Sequence, residues 1–99
     1  MNSNQITISV NFYATLRPIV GGKTKEFQIK EGGTVRNLMD EIIQFYPALQ
    51  KELFDDEGEL LGYVHIIVNG RDVQFLENAF ETPLTPEDSI SIFPAVGGG

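Results

Sequence analysis

The spacing of apolar side chains changes along this chain and predicts strands in the first third, followed by a helix. Residues 6–13 alternate between apolar and polar side chains, and residues 23–30 repeat this pattern after the turn signal Gly21-Gly22. Both segments are therefore predicted to be half-buried strands of a hairpin. Thr34 is placed to cap a helix, and apolar side chains then recur at helical spacing. They are Val35, Leu38, Met39, Ile42, Phe45 and Tyr46.

The second half of the chain predicts a short helix over residues 48–54, a polar loop over 55–58 and a strand over 63–69. Asn69-Gly70 is typical of a tight hairpin, with a short partner strand over 71–74. Residues 75–88 are expected to be irregular. The last strand covers 89–93 with Ile90 and Ile92 inward, and residues 94–96 are expected to leave the sheet. The pattern predicts a two-layer α+β domain, with the first and last strands as parallel neighbours in the middle of the sheet.

The chain has 99 residues, a formal net charge of −7 and seven scattered Lys and Arg residues. One domain is expected, over residues 1–96, followed by a glycine tail over 97–99. The acidic balance argues against nucleic acid and a membrane surface as partners. It either favours docking on a basic protein or only maintains solubility. No apolar run has the length of a signal peptide or a membrane span, so a cytoplasmic location is expected.

Catalytic and metal-binding groupings are not apparent in the sequence. The chain has no cysteine, and its single histidine, His65, lies in the middle of a predicted strand, where a packing or surface role is expected. The acidic run Asp55-Asp56-Glu57 lacks the ligand spacing of a calcium loop. We therefore expect no metal, no bound cofactor and no enzyme activity.

The glycine run Gly97-Gly98-Gly99 is the strongest chemical candidate. Glycine has no Cβ, so such a tail can pass through a narrow channel and bring the carboxylate of Gly99 into the active site of another protein. A frayed tail without a function is the alternative.

Strand alternation also places Tyr13, Ile67 and Phe93 on the sheet face that the helix does not cover. If the first and last strands are parallel neighbours, Tyr13 and Phe93 lie close together beside the tail. These three residues are predicted to form a docking patch, and scattered exposed apolar residues are the alternative.

The sequence resembles the ThiS/MoaD family of ubiquitin-like β-grasp sulfur carriers over nearly its full length. The most specific stretch is the hydrophobic strand that leads into Pro-x-Val followed by glycines. The matching stretches are Phe12-Tyr13-Ala14-Thr15-Leu16-Arg17, Gly33-Thr34-Val35, Val68-Asn69-Gly70-Arg71 and Ser91-Ile92-Phe93-Pro94-Ala95-Val96-Gly97-Gly98-Gly99.

This resemblance implies a β-grasp fold, with a mixed sheet of four to five strands packed on one main helix. It implies that an E1-like enzyme adenylates Gly99 with ATP, and that Gly99 is then converted to a thiocarboxylate. It also implies that Phe93 docks on the activating enzyme, and that Ile67 lies where ubiquitin-like proteins place an apolar patch residue.

Three roles are compatible with the resemblance. Leu16-Arg17-Pro18 and Pro94-Ala95-Val96 favour a CysO-like carrier of cysteine biosynthesis, whose sulfur acceptor is a cysteine-synthase-like enzyme. Phe93 and Gly97 are closer to the small subunit of molybdopterin synthase, which would make the large subunit of that enzyme the acceptor. A ubiquitin-like modifier joined to lysines is the third role.

Overall fold

The computed structural model describes residues 4–95, which form five strands and three α-helices joined by short 3₁₀ turns. Because Gly97–Gly99 lie outside these residues, the predicted division at residue 96 stays a prediction. The strands are β1 (Gln5–Phe12), β2 (Thr24–Lys30), β3 (Val64–Val68), β4 (Arg71–Asp72) and β5 (Ile90–Pro94). The helices are α1 (Arg17–Val20), α2 (Val35–Phe45) and α3 (Leu49–Leu53), and the 3₁₀ turns are Ala14–Leu16, Val73–Phe75 and Ala79–Glu81.

The five strands form one mixed sheet in the order β2-β1-β5-β3-β4. The predicted parallel pair is confirmed: β1 and β5 are neighbours, with Val10 opposite Ile90 and Phe12 opposite Ile92. Every other pairing is antiparallel. Strand β5, which leads toward the glycine tail, is therefore at the centre of the sheet.

The core lies between the sheet and the helices, and it is entirely hydrophobic within the described residues. The inward parity predicted for the strands is confirmed, since Ile8, Val10 and Phe12 of β1 and Ile90 and Ile92 of β5 are buried. Alternation along β3 also buries its first, third and fifth residues. Consequently, the alternate side chains of β1, β3 and β5 lie on the opposite face of the sheet.

Helix α2 begins at the predicted cap. Thr34 accepts a hydrogen bond from the backbone N–H of Asn37, and the Asn37 side chain accepts one from the N–H of Thr34, which completes a capping box. The helix buries Val35, Leu38, Met39 and Ile42 against the sheet, as predicted. No helix within residues 4–95 has the length and apolar content needed to cross a bilayer.

The prediction that Phe45 belongs to the apolar stripe of α2 was wrong, because 63% of its surface is exposed. It is the last residue of α2, and its ring contacts the edge of Phe27 at a centroid distance of 6.1 Å while its remaining surface faces solvent. Tyr46, the next residue, is half-buried against the same Phe27 ring.

The hairpin at Asn69-Gly70 is confirmed. Both residues have positive φ, 53° and 86°, and Val68 pairs with Arg71 across the turn. Two predicted boundaries were wrong. Strand β4 ends at Asp72, because the Asp72 carboxylate accepts a hydrogen bond from the N–H of Gln74 and starts a 3₁₀ turn. Strand β5 continues to Pro94, which pairs with Val64, and the next residue, Ala95, donates its N–H to the Tyr63 carbonyl.

Candidate functional site

The uncovered face of the sheet brings together the three residues of the predicted patch. Phe93 of β5 lies opposite His65 of β3, and Ser91 lies opposite Ile67. Tyr13 follows the last residue of β1 and donates its N–H to the Ile92 carbonyl, which fixes it beside β5. The predicted proximity of Tyr13 and Phe93 is therefore confirmed.

A row of stacked side chains crosses this face with Phe93 in its middle. On one side the edge of Tyr13 meets Phe93 at a centroid distance of 6.2 Å, and on the other His65 stacks at 5.3 Å with a 31° tilt. The guanidinium of Arg17 lies 5.2 Å from the Tyr13 ring and donates from Nε to the Phe12 carbonyl. Contacts on both sides of Phe93 thus orient a ring that is still partly exposed.

Beside this row lies a shallow, mostly apolar hollow of about 610 Å³. It is lined by Tyr13, Ala14, Ile67, Ser91, Phe93 and Pro94. Its lining includes all three residues of the predicted patch, so they form a contiguous surface rather than scattered exposed positions. Such a surface can accept an apolar side chain of a partner protein. Its docking role stays a prediction.

The hollow lies at the end of the sheet where β5 ends. Pro94 forms part of its lining, and Ala95, the last described residue, is exposed next to it. Gly97, Gly98 and Gly99 lie outside the described residues, so the expected role of the tail remains a prediction.

A hydrogen-bonded pair, His65 and Asp72, flanks the row. His65 Nδ1 donates to Asp72 Oδ2 over 2.7 Å, and the two side chains are 30% and 13% exposed. Partial burial raises the pKa of the Asp72 carboxyl, but hydrogen bonds from His65 and Gln74 outweigh this effect. The pKa of Asp72 therefore lies below its ordinary value.

Sequence reasoning assigned His65 a packing or surface role, which its stacking on Phe93 bears out, but it missed Asp72 and Arg17. Strand parity could have placed His65 next to Phe93, because both face outward. The contact with Asp72 follows from the register of the hairpin at Asn69-Gly70, which sets Asp72 opposite Ile67 and diagonal to His65, so the predicted turn also carried a signal for it. Within residues 4–95 no group of three or more His, Asp or Glu residues is placed to hold a metal ion.

The His65–Asp72 pair gives a prediction about stability and pH. A carboxyl whose pKa is lower in the folded state stabilises that state above its unfolded pKa, about 4, and loses this contribution as the pH falls through the folded pKa. Asp72→Asn should therefore lower the free energy of unfolding by roughly 1–2 kcal/mol at pH 7, and the difference should shrink below about pH 4. Urea unfolding from pH 3 to 7 measures it, with the exposed Glu87→Gln as control. A difference that does not vary with pH would contradict the assigned ionisation.

Comparison with known proteins identifies the family. Residues 10–99, which include β5, the hollow and the glycine run, match the ThiS family. This chain belongs to the ThiS family. It is 33% identical over 92 residues to small archaeal modifier protein 3 of Haloferax volcanii, covering 93% of this chain and 98% of the relative. It is 30% identical over 96 residues to the sulfur carrier protein CysO of Mycobacterium tuberculosis, covering 95% of this chain and all of the relative.

The fold comparison agrees with this assignment. The crystal structure of SAMP1 from Haloferax volcanii superposes with a TM-score of 0.81 at 26% identity, over 94% of this chain and 99% of that one. The predicted β-grasp fold is thus confirmed for this ThiS-family chain. The relatives are carrier and modifier proteins rather than catalysts, and the chain is accordingly a protein of the sulfur-carrier and ubiquitin-like modifier group and not an enzyme.

Proposed function

We propose that this ThiS-family protein carries sulfur as a thiocarboxylate on Gly99 and donates it to a biosynthetic enzyme. The observation that supports this most is the position of the apolar hollow at the end of β5, the strand from which the chain continues to Gly97–Gly99. A partner that binds the hollow through Phe93 would have the glycine run next to its own active site.

The chemistry takes place in two steps at Gly99. A carboxylate oxygen of Gly99 attacks the α-phosphorus of ATP bound by the partner, pyrophosphate leaves, and an acyl adenylate forms. Sulfide then attacks the acyl carbon and AMP leaves, so that the terminal group becomes a thiocarboxylate. No redox step is needed when the sulfur arrives as sulfide. The carrier itself supplies the acyl group and the docking surface, and the partner supplies ATP and the catalytic groups.

The activating partner in this proposal is an E1-like adenylating enzyme, as is usual for sulfur carriers of this kind. Tyr13, Ile67 and Phe93 form its docking surface, because they line one hollow and two of them are aromatic, the residue class that dominates binding energy at interfaces. We place the reactions in the cytoplasm.

For the acceptor we favour a cysteine-synthase-like enzyme. The similarity to CysO extends over the whole of that carrier and supports this choice. Transfer of the sulfur, followed by hydrolysis of the acyl bond to the carrier, returns Gly99 to the carboxylate for another cycle. The large subunit of molybdopterin synthase is the alternative acceptor. Phe93 and Gly97 favour it, because they are closer to the small subunit of that enzyme.

Conjugation to proteins is the second candidate function, and the similarity to a small archaeal modifier protein favours it. A sulfur donor and a modifier need the same activated Gly99, but they differ in the fate of the protein after activation. A donor is released after each cycle, whereas a modifier accumulates on the lysines of many proteins.

A denaturing gel of a native cell extract, probed for this chain, distinguishes the two functions. We expect one dominant band at the size of the free protein. A ladder of heavier species that survives thiol reduction, and that disappears when Gly98 and Gly99 are deleted, would show that the protein acts as a modifier instead.

A further inference from the structure

Charge is distributed very unevenly along the chain and over the fold. Residues 4–30, which form the β1–β2 hairpin, carry four Lys and Arg residues and one Glu. Residues 31–95 carry three Lys and Arg residues and thirteen Asp and Glu residues. The acidic excess therefore belongs to residues 31–95, which contain α2, α3 and the strands β3 to β5, and it is strongest in the loop over residues 55–59.

A groove of about 290 Å³ lies in this acidic region, between α2, the 54–60 segment and the 3₁₀ turn at residues 79–81. The apolar side chains in its lining are Met39, Ile43, Phe54, Leu60 and Phe80. Asp40 and Glu59 supply carboxylates to the same lining. The groove thus combines apolar surface with negative charge. It is separate from the hollow around Phe93, which lies on the sheet face opposite α2.

Among the described residues that line this groove, Arg36 is the single cation, and its charge is already compensated. Its Nε donates to Glu81 Oε2 over 2.6 Å, and its guanidinium lies 5.3 Å from the Phe80 ring. The hydrogen bond to Glu81 is the main cause that raises the pKa of Arg36, with smaller contributions from the charges of Asp40 and Glu59. The charges of three carboxylates thus act on one guanidinium, which leaves a net negative charge.

We propose that this groove is a second protein-binding surface, which takes a segment of a partner that carries Lys or Arg beside a large apolar side chain. The apolar side chain of the partner packs on Phe54, Leu60 and Phe80, which are partly exposed in the groove, and its cation pairs with Asp40 and Glu59. Charge complementarity identifies the occupant, because a neutral or acidic segment would leave these two carboxylates near apolar surface without a new partner. The segment can bind while the Phe93 face is occupied, since the two surfaces lie on opposite sides of the sheet.

The probe for this proposal is the peptide Lys-Leu-Arg-Leu-Lys with blocked ends, titrated at low salt into the ¹⁵N-labelled full chain. We expect amide shift changes at Asp40, Ile43, Gly58 and Phe80, and none at Ile67 or Phe93. Asp40→Asn combined with Glu59→Gln should weaken binding about tenfold. The matched control is Glu26→Gln combined with Glu87→Gln, which changes the net charge equally outside the groove and should weaken binding much less.

Three results would overturn the proposal. The first is the absence of shift changes up to about 1 mM peptide, a concentration beyond which an interaction would be too weak to be specific. The second is shift changes centred on the Phe93 face. The third is equal weakening by the two double variants, which would mean that only the overall charge attracts the peptide. Spectra of the free variants check that each retains the native fold. This test does not depend on Gly99, so its failure would leave the proposed carrier function intact.

Discussion

Ile92→Ala is expected to lower the free energy of unfolding by about 2–5 kcal/mol, because it removes a completely buried side chain from the central strand. Ile92 lies between Phe12 of β1 and Ile66 of β3 in the sheet, and both neighbours are also fully buried. The cavity left by the substitution would therefore lie inside the core among other fully buried side chains, which cannot easily collapse into it. Urea unfolding at neutral pH measures the loss.

The next residue along the strand is the matched control. Phe93→Ala removes a larger side chain from the opposite face, where the ring is partly exposed and contacts Tyr13 and His65. Its cost to stability should be smaller, roughly 1–3 kcal/mol, because two ring contacts are lost but no enclosed cavity is left. If Phe93→Ala unfolds the protein more readily than Ile92→Ala does, the assignment of the two faces is wrong.

Phe93→Ala is expected to weaken binding to the cognate activating enzyme by at least ~2 kcal/mol, which is roughly 30-fold in the dissociation constant. The physical reason is that Phe93 is the centre of the stacked row and part of the hollow, so truncation removes both contact area and the support for Tyr13. Titration calorimetry with the purified enzyme measures the change.

Phe45→Ala is the control for this experiment, because it removes the same side chain from another exposed site, at the end of α2. It should leave the affinity unchanged. Equal losses for Phe45→Ala and Phe93→Ala, or no loss for Phe93→Ala, would contradict the docking role of the hollow.

Local rules predicted much of the fold and of this face. Thr34 marks the start of α2, since its side chain satisfies a free backbone N–H, and Asn69-Gly70 marks the hairpin, since both residues tolerate positive φ. Strand parity placed Tyr13 and Phe93 on one face, because side chains alternate strictly along a strand. These features depend only on residues close together in sequence.

Features that depend on distant residues were not predicted. The acidic groove requires residues from α2 to meet residues from the 54–60 segment and Phe80. Helical spacing also placed Phe45 in the core stripe, but spacing does not tell how far the sheet extends beneath the last turn of a helix. Each case was decided by tertiary packing, about which local sequence patterns carry little information.

The most direct test of the account is the intact mass of the protein, expressed with Gly99 as its last residue, after incubation with its activating enzyme, ATP and sulfide. The mass should rise by the difference between one sulfur and one oxygen atom. The variant Gly97→Ala should be modified as well, because the resemblance to CysO-like carriers indicates that alanine is accepted at this position. Deletion of Gly99 should abolish the change. Equal modification of the truncated chain, or no modification of the full chain by an enzyme that adenylates it, would contradict the proposal that sulfur is carried on Gly99.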